Sequence, residues 1–278
     1  MIAFNGQYLD EASHGNMRII AACLGGQWVI APWHIDAATQ QAIIAAFGAE
    51  EGIAVIRRTN DYLNAIALTD QTRAQQISGF INEDPLLVTS LVETSKVRYC
   101  ESSGMAYFFV DGVYGSDKLV TESKFAYLEG YTYPAVFGCA SSGETYRYTI
   151  HSNSGGTNVA FRITGLSVNS ITSPETWNEV KISKDGCYCN GTLLGKFTSI
   201  FKVANNMGVF LEHQDTIQTT RFANARIEYL KFADEDISVH LCPFTRNGES
   251  GMLDIISGTF YPNANTEGAF TIAITDKQ

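Results

Sequence analysis

Two pairs of tyrosines stand one residue apart, Tyr131-Thr132-Tyr133 in a predicted loop and Tyr146-Arg147-Tyr148 in a predicted strand. Alternate residues of an extended chain share a face, so each pair could set two rings side by side. Rings so placed stack on the C–H faces of sugars, while amides, carboxylates and backbone groups fix the hydroxyls. Carbohydrate binding is therefore the chemistry these four tyrosines are candidates for. The alternative is that they line a β core or a contact between chains. Trp28 and Trp33, which flank Pro32, form a further aromatic pair that either makes the core of a small unit or docks on a partner. Trp177 begins a predicted strand and is read as core.

Residues for catalysis are harder to assemble. Glycoside hydrolysis needs two carboxylates held a few ångströms apart, as E-x-D-x-x-E along one strand would hold them. No such spacing occurs. Asp234-Glu235-Asp236 is consecutive, so its side chains point to opposite faces, and it reads as a solvated turn. Glu122 and Glu228 are lone acids in strands. His14, His34, His151, His213 and His240 show no metal spacing, and there is no nucleophile elbow or Walker loop. Ser152-Asn153-Ser154-Gly155-Gly156 is a hairpin loop rather than a phosphate cradle, because no helix follows it. Asp111, Asp117, Asn153 and Asn158 offer oxygen to Ca²⁺, but no EF-type calcium loop is present. The expectation is no catalytic residue, no metal and no cofactor.

The cysteines Cys23, Cys100, Cys139, Cys187, Cys189 and Cys242 are spread along the chain and read as buried reduced thiols. In Cys187-Tyr188-Cys189 both sulfurs fall on one face of a strand, too far apart for an easy disulfide.

The chain has 278 residues and a net charge of −10, with 24 Gly against 6 Pro and only 17% charged residues. That composition suits a β-rich protein with many tight turns. Its acidity argues against nucleic acid as a ligand. No apolar run reaches the length of a membrane span, so no membrane insertion is expected. The opening residues lack a basic and then apolar segment, so no signal peptide is expected.

Three regions must position these groups. Residues 1–34 carry turn signals at Asn5-Gly6, Gly15-Asn16 and Gly25-Gly26, with strands over Met17–Leu24 and Gln27–Ile30. Residues 35–95 turn helical: Asp36 caps a helix that stops at Gly48, and Asp70 or Thr69 caps one carrying Ala74, Ile77, Phe80 and Ile81, ended by Pro85. Between them Ile53, Ile56, Asn60, Leu63 and Ala67 form a predicted seam. Residues 96–278 alternate apolar and polar in about a dozen runs separated by turns such as Asp111-Gly112, Ser142-Gly143, Asp185-Gly186, Asn190-Gly191, Asn247-Gly248 and Ser257-Gly258. Strands without helical crossovers predict an antiparallel sandwich or jelly roll. The fold class is mainly β, with a small β plus helical N-terminal region.

Tyr99-Cys100-Glu101-Ser102-Ser103-Gly104-Met105-Ala106-Tyr107 resembles the "YIESTGTQYIDTG" opening of a sandwich module common in tail-fibre and other virion proteins of phages infecting gut bacteria. Trp177-Asn178-Glu179-Val180, then Asp185-Gly186 and Asn190-Gly191, resemble its "W…v…dg…vNG" hairpin. The stretch from Leu193 to Phe210 resembles the one that leads to its "lFa" strand, and Ala225 to Leu230 its "kiyyfki" strand. Cys242-Pro243-Phe244-Thr245-Arg246, Gly251-Met252-Leu253-Asp254, Gly258 to Asn263 and Gly268-Ala269-Phe270 resemble its closing "iParr…GlyD…fy.n.g.g.F". Departures are Cys100 for Ile, Phe108-Phe109-Val110 in place of "IDTG", and Met252-Leu253 for Leu-Tyr.

The resemblance implies a concanavalin A-like (laminin-G-like) jelly roll over residues 96–278 and a role as a phage fibre or receptor-binding protein. It further implies that the N-terminal region, with Trp28 and Trp33, attaches to other virion proteins, that the sandwich is displayed to a host cell-surface glycan, that the assembly is a homotrimer, and that the protein resides in the virion. Weak sites held together in such an assembly gain avidity. A bacterial surface lectin or adhesin, and a glycan-cleaving hydrolase, are the alternatives. The first is opposed by the expected lack of a signal peptide and the second by the lack of paired carboxylates.

Overall fold

A computed structural model describes residues 35–128, 134–141, 146–152, 156–214 and 222–277, together with the backbone of six short strands between residues 2 and 29. Two compact units result, Met1–Thr94 and Ser95–Gln278.

In the first unit β1 (Ile2–Phe4) pairs with β2 (Gln7–Leu9), β3 (Ser13–His14) with β4 (Met17–Arg18), and β5 (Ala22–Leu24) with β6 (Gln27–Val29). The innermost pairs are Phe4↔Gln7, His14↔Met17 and Leu24↔Gln27, and the predicted turn dipeptides Asn5-Gly6, Gly15-Asn16 and Gly25-Gly26 lie outside the described residues. The run expected over Met17–Leu24 is instead two strands, because Met17 turns back on His14 while Ala22–Leu24 pairs forward. Trp28 pairs with Cys23 across β5 and β6, and Trp33 lies outside the described residues.

Helix α1 (Ala37–Phe47) begins where Asp36 accepts a 2.7 Å hydrogen bond from Thr39 N and ends at Gly48, whose φ of 83° few other residues adopt. Helix α2 (Ala49–Ala67) buries Gly52, Val55, Thr59, Leu63 and Ala67. The predicted seam is thus rotated: Leu63 and Ala67 keep their place, but Ile53 is 53% exposed. The cause is Gly52, where an added Cβ would stand 2.7 Å from Ile44 Cα; that close approach to α1 fixes the buried stripe. Thr59 fits the stripe by donating its hydroxyl to Val55 O. Helix α3 (Gln71–Glu83) is capped by Asp70, buries Ala74, Ile77, Ser78 and Ile81, and is followed by a 3₁₀ turn at Pro85–Leu87 and α4 (Val88–Leu91).

The second unit is a sandwich of two sheets. One runs β16 (Thr192–Gly195), β15 (Gly186–Cys189), β14 (Trp177–Ser183), β9 (Val120–Tyr127), β19 (Asn224–Ala233), β20 (Ser238–Arg246), β21 (Glu249–Asp254) and β22 (Phe260–Pro262), with β7 (Lys96–Ser103) on β19 and β23 (Phe270–Asp276) on β7. The other runs β13 (Leu166–Ile171), β12 (Asn158–Ile163), β11 (Arg147–His151), β10 (Ala135–Ala140), β17 (Lys202–Val209) and β8 (Phe108–Ser116), with the short β18 (Glu212–His213) beside β10. The described pairings are antiparallel except β10 with β18. The chain passes repeatedly from one sheet to the other, the alternation of a jelly roll.

Inward residues of both sheets meet in one core that includes Phe125, Tyr127, Val180 and Ile182 from the first sheet and Phe137, Tyr148, Ile150 and Phe161 from the second. Cys100, Cys139, Cys187 and Cys189 belong to it, Cys242 is also buried, and none of the five is in a disulfide. Burial pushes the Cys139 and Cys187 thiols up to about 12.

Asn190-Gly191 and Asn247-Gly248 take positive φ at both residues, as tight hairpins require. Asp111-Gly112 does not behave as the predicted turn. It lies within β8 as a bulge, with Gly112 at φ 77°, and Asn206 bridges it by accepting from Gly112 N and donating to Asp111. Ser142-Gly143 lies outside the described residues.

Candidate functional site

The outer face of the first sheet carries alternating aromatic and charged side chains. In β14 the inward positions are Asn178, Val180 and Ile182, each nearly or fully buried. Period-two alternation then turns Trp177, Glu179 and Lys181 outward. The same parity puts Tyr99 and Glu101 of β7, Glu122 and Lys124 of β9, and Arg226 of β19 on this face. β19 bulges between Ile227 and Tyr229, which brings Glu228 to Lys124, 2.6 Å from oxygen to nitrogen.

Tyr99 and Trp177 meet edge to face with ring centroids 5.8 Å apart. Each ring has a cation over it: Lys124 Nζ is 5.7 Å from the Trp177 centroid, and the Arg226 guanidinium carbon is 5.0 Å from that of Tyr99. Both cations are anchored by acids, Arg226 Nε by Glu101 at 2.7 Å and Lys124 by Glu228. Lys181 pairs with Glu122 at 2.9 Å, and this hydrogen bond holds the Glu122 carboxyl below the usual carboxylate range. The hydroxyl of Tyr229 lies 3.3 Å from Glu179.

Above these rings the β13–β14 turn forms a wall. With Tyr99, Lys124, Trp177 and Arg226, Pro174 and Glu175 line an open cleft of about 630 Å³, to which Thr275, Asp276 and Lys277 also contribute. Asp276 is taken by Lys96 at 3.0 Å. The cleft offers half-buried rings beside fixed hydrogen-bonding groups, which is what a sugar-binding surface needs.

The predicted site residues fall elsewhere. Tyr131 and Tyr133 lie outside the described residues. Tyr146 is 43% exposed just before β11, whereas Tyr148 is fully buried in the core. Their separation by one residue therefore does not produce a shared platform: Tyr148 points inward with the regular alternation of β11, and Tyr146 sits in a bend that precedes it. Trp177 reverses in the other direction, being half-buried in the cleft rather than core. The alternation of Val180 and Ile182 was the signal that placed it outward.

Asp234 accepts from the backbone N–H groups of Asp236 and Ile237, so the consecutive acids form a turn between β19 and β20. Of the oxygen-bearing residues considered for calcium, the three that are described are each engaged separately. Asp111 is engaged by Asn206, Asp117 by Phe201 N, Asn158 by Ser152, and Asn153 lies outside the described residues. Among the described residues no group of three or more His, Cys, Asp and Glu could hold a metal ion. Among them, too, no helix is long and apolar enough to cross a membrane.

No protein-family model matches the chain, and no curated protein does. Among solved structures it is similar to a Bacteroides ovatus protein described as carbohydrate-binding, at 9% identity and a TM-score of 0.44, over 66% of this chain and 60% of that one. The heptameric SAP-like pentraxin of Limulus polyphemus matches at 11% identity and a TM-score of 0.42, over 66% of this chain and 97% of that one. Domains LG4-5 of the mouse laminin alpha1 chain match at 8% identity and a TM-score of 0.36, over 56% of this chain and 46% of those domains. The chain thus spans less than two thirds of the bacterial protein and less than half of the laminin domains.

Proposed function

We propose that the sandwich unit is a non-catalytic glycan-binding module and that the chain acts in adhesion. The observation that carries this is the cleft, with Tyr99 and Trp177 in contact at 5.8 Å and flanked by fixed polar groups. The carboxylates around it are the wrong kind for cleavage of a glycosidic bond. Glu101, Glu122, Glu228 and Asp276 are each paired with a cation, which leaves Glu175 as the single unpaired acid of the cleft among the described residues, whereas cleavage of a glycosidic bond calls for two working carboxyl groups.

The motif resemblance further supports a phage fibre or receptor-binding protein whose N-terminal region attaches to the particle and whose assembly is a homotrimer. A bacterial surface lectin would use the same cleft in the same way. The test of the binding reading is a glycan array probed with the full chain and with Trp177→Ala. Wild-type binding to at least one glycan, lost in the variant with its melting transition intact, supports it. Release of reducing ends from a bound polysaccharide overturns the non-catalytic part. Gold-labelled antibody against the chain then distinguishes its two settings, on phage particles or on bacterial cells.

A further inference from the structure

We infer that Glu175 selects the ligand of this cleft, and that the ligand is an uncharged sugar presenting two adjacent hydroxyls. The inference rests on the reading of the cleft as a glycan site and adds the substrate class and the residue that sets it.

Glu175 occupies the third position of the turn Ser173-Pro174-Glu175-Thr176, closed by Thr176 N donating to Ser173 O at 3.2 Å. Proline at the second position and positive φ at the third are the marks of a type II turn, whose third position is normally glycine. Glu175 nevertheless holds φ 65° there, with its own N–H donated to Tyr127 O. A glycine would relieve this conformation at no cost in packing, because the side chain is exposed. Left-handed backbone at a non-glycine residue persists where something else fixes it, and it concentrates at ligand sites.

What the side chain brings is an acceptor. Of the two acids that line the cleft, Asp276 is bound to Lys96, while Glu175 acts on Arg226 only through space and forms no ion pair among the described residues. A carboxylate with both oxygens open accepts from two neighbouring hydroxyls at once, the pattern that vicinal hydroxyls of a hexose present. Trp177, two residues on, supplies the ring for that sugar's C–H face.

Charge decides against an acidic sugar. Arg226 and Lys124, the cations over the rings, already carry Glu101 and Glu228 as partners. The exposed charges left to meet a ligand are Glu175 and Lys277, opposite in sign. A uronic acid would bring a third carboxylate to Arg226, which already has Glu101 at 2.7 Å and Glu175 acting on it, and would leave only Lys277 to receive it.

The experiment compares wild type, Glu175→Gly, Glu175→Gln and Trp177→Ala, as full chains, on albumin conjugates of mannose, galactose, glucose, N-acetylglucosamine and glucuronic acid. Wild type is expected to bind at least one neutral conjugate and to bind the glucuronate conjugate more weakly. Glu175→Gly is expected to melt a few degrees higher yet bind about tenfold or more weakly, with Glu175→Gln between the two. Wild-type affinity in Glu175→Gly, with Trp177→Ala abolishing binding, overturns the role of Glu175 and leaves the cleft reading standing. Unchanged binding in Trp177→Ala overturns the cleft reading itself. Preference for glucuronate, or binding to none of the neutral conjugates, overturns the ligand class. A lower melting temperature in Glu175→Gly removes the strain on which the role was argued.

Discussion

The hydroxyl of Tyr148 lies 2.6 Å from Oγ1 of Thr121, a hydrogen bond that crosses the sandwich from β11 in one sheet to β9 in the other. The same hydroxyl is 3.3 Å from Leu119 O. Both Tyr148 and Thr121 are fully buried, so these polar atoms depend on each other for the partners water would otherwise give. Gly115 makes room for the ring: a Cβ there would stand 2.3 Å from Tyr148 Cβ.

Tyr148→Phe should therefore cost about 1–3 kcal/mol in a urea melt, since it leaves the Leu119 carbonyl and the Thr121 hydroxyl without that partner. Tyr148→Ala should cost about 3–5 kcal/mol by opening a cavity as well. A neutral result for both would mean that the ring is not in the core.

Tyr146→Ala, by contrast, should leave both stability and glycan binding close to wild type. The residue is 43% exposed and does not line the Trp177 cleft. Calorimetric titration of this variant beside Trp177→Ala, which should weaken binding about tenfold or more, checks the assignment of the platform.

Gly52→Ala gives opposite signs in two accounts. Helix propensity alone favours alanine by about 1 kcal/mol in the interior of α2. Packing opposes it, because the new Cβ would meet backbone of α1 at 2.7 Å, and overpacking costs about 1–3 kcal/mol. A net destabilisation by thermal melting is expected, and stabilisation would show that α1 and α2 do not approach so closely.

Asp36→Ala should destabilise the helical unit by about 1 kcal/mol at neutral pH, the usual worth of an N-cap. The Thr39 N–H is the main cause that holds the Asp36 carboxyl below its ordinary value of 3.8. A lowered folded-state value means the contribution is whole above 3.8 and is lost as pH falls through the folded value. The difference between variant and wild type should thus shrink below that pH, as measured by circular dichroism melts.

Titration of thiols with a disulfide reagent should find Cys100, Cys139, Cys187, Cys189 and Cys242 silent in the native Cys23→Ser variant and reactive in urea. All five are buried, and burial keeps the Cys139 and Cys187 thiols protonated to about 12. Rapid native labelling of any of them would contradict the packing of the sandwich.

The sequence by itself determined the mainly β class, the helix start at Asp36, the stop at Gly48, and the hairpins at Asn190-Gly191 and Asn247-Gly248, while it left the next helix start between Thr69 and Asp70. These are local effects: a capping carboxylate or a positive φ acts within a few residues of chain. Sequence alone reads Trp177 as core, and the structure turns it outward: the inward positions Val180 and Ile182 of the same strand carry that parity, but the size and apolarity of the indole outweigh it in a reading of the chain. The tertiary structure alone decided that Asp111-Gly112 is a bulge, because only its partner β17 makes the extra residues of β8 visible. It alone separated Tyr146 from Tyr148, and it alone joined Tyr99 to Trp177 from strands nearly eighty residues apart. A shared face within one strand follows from backbone geometry, but which strands lie side by side follows from burial of the whole sheet, and the cleft exists only at that level.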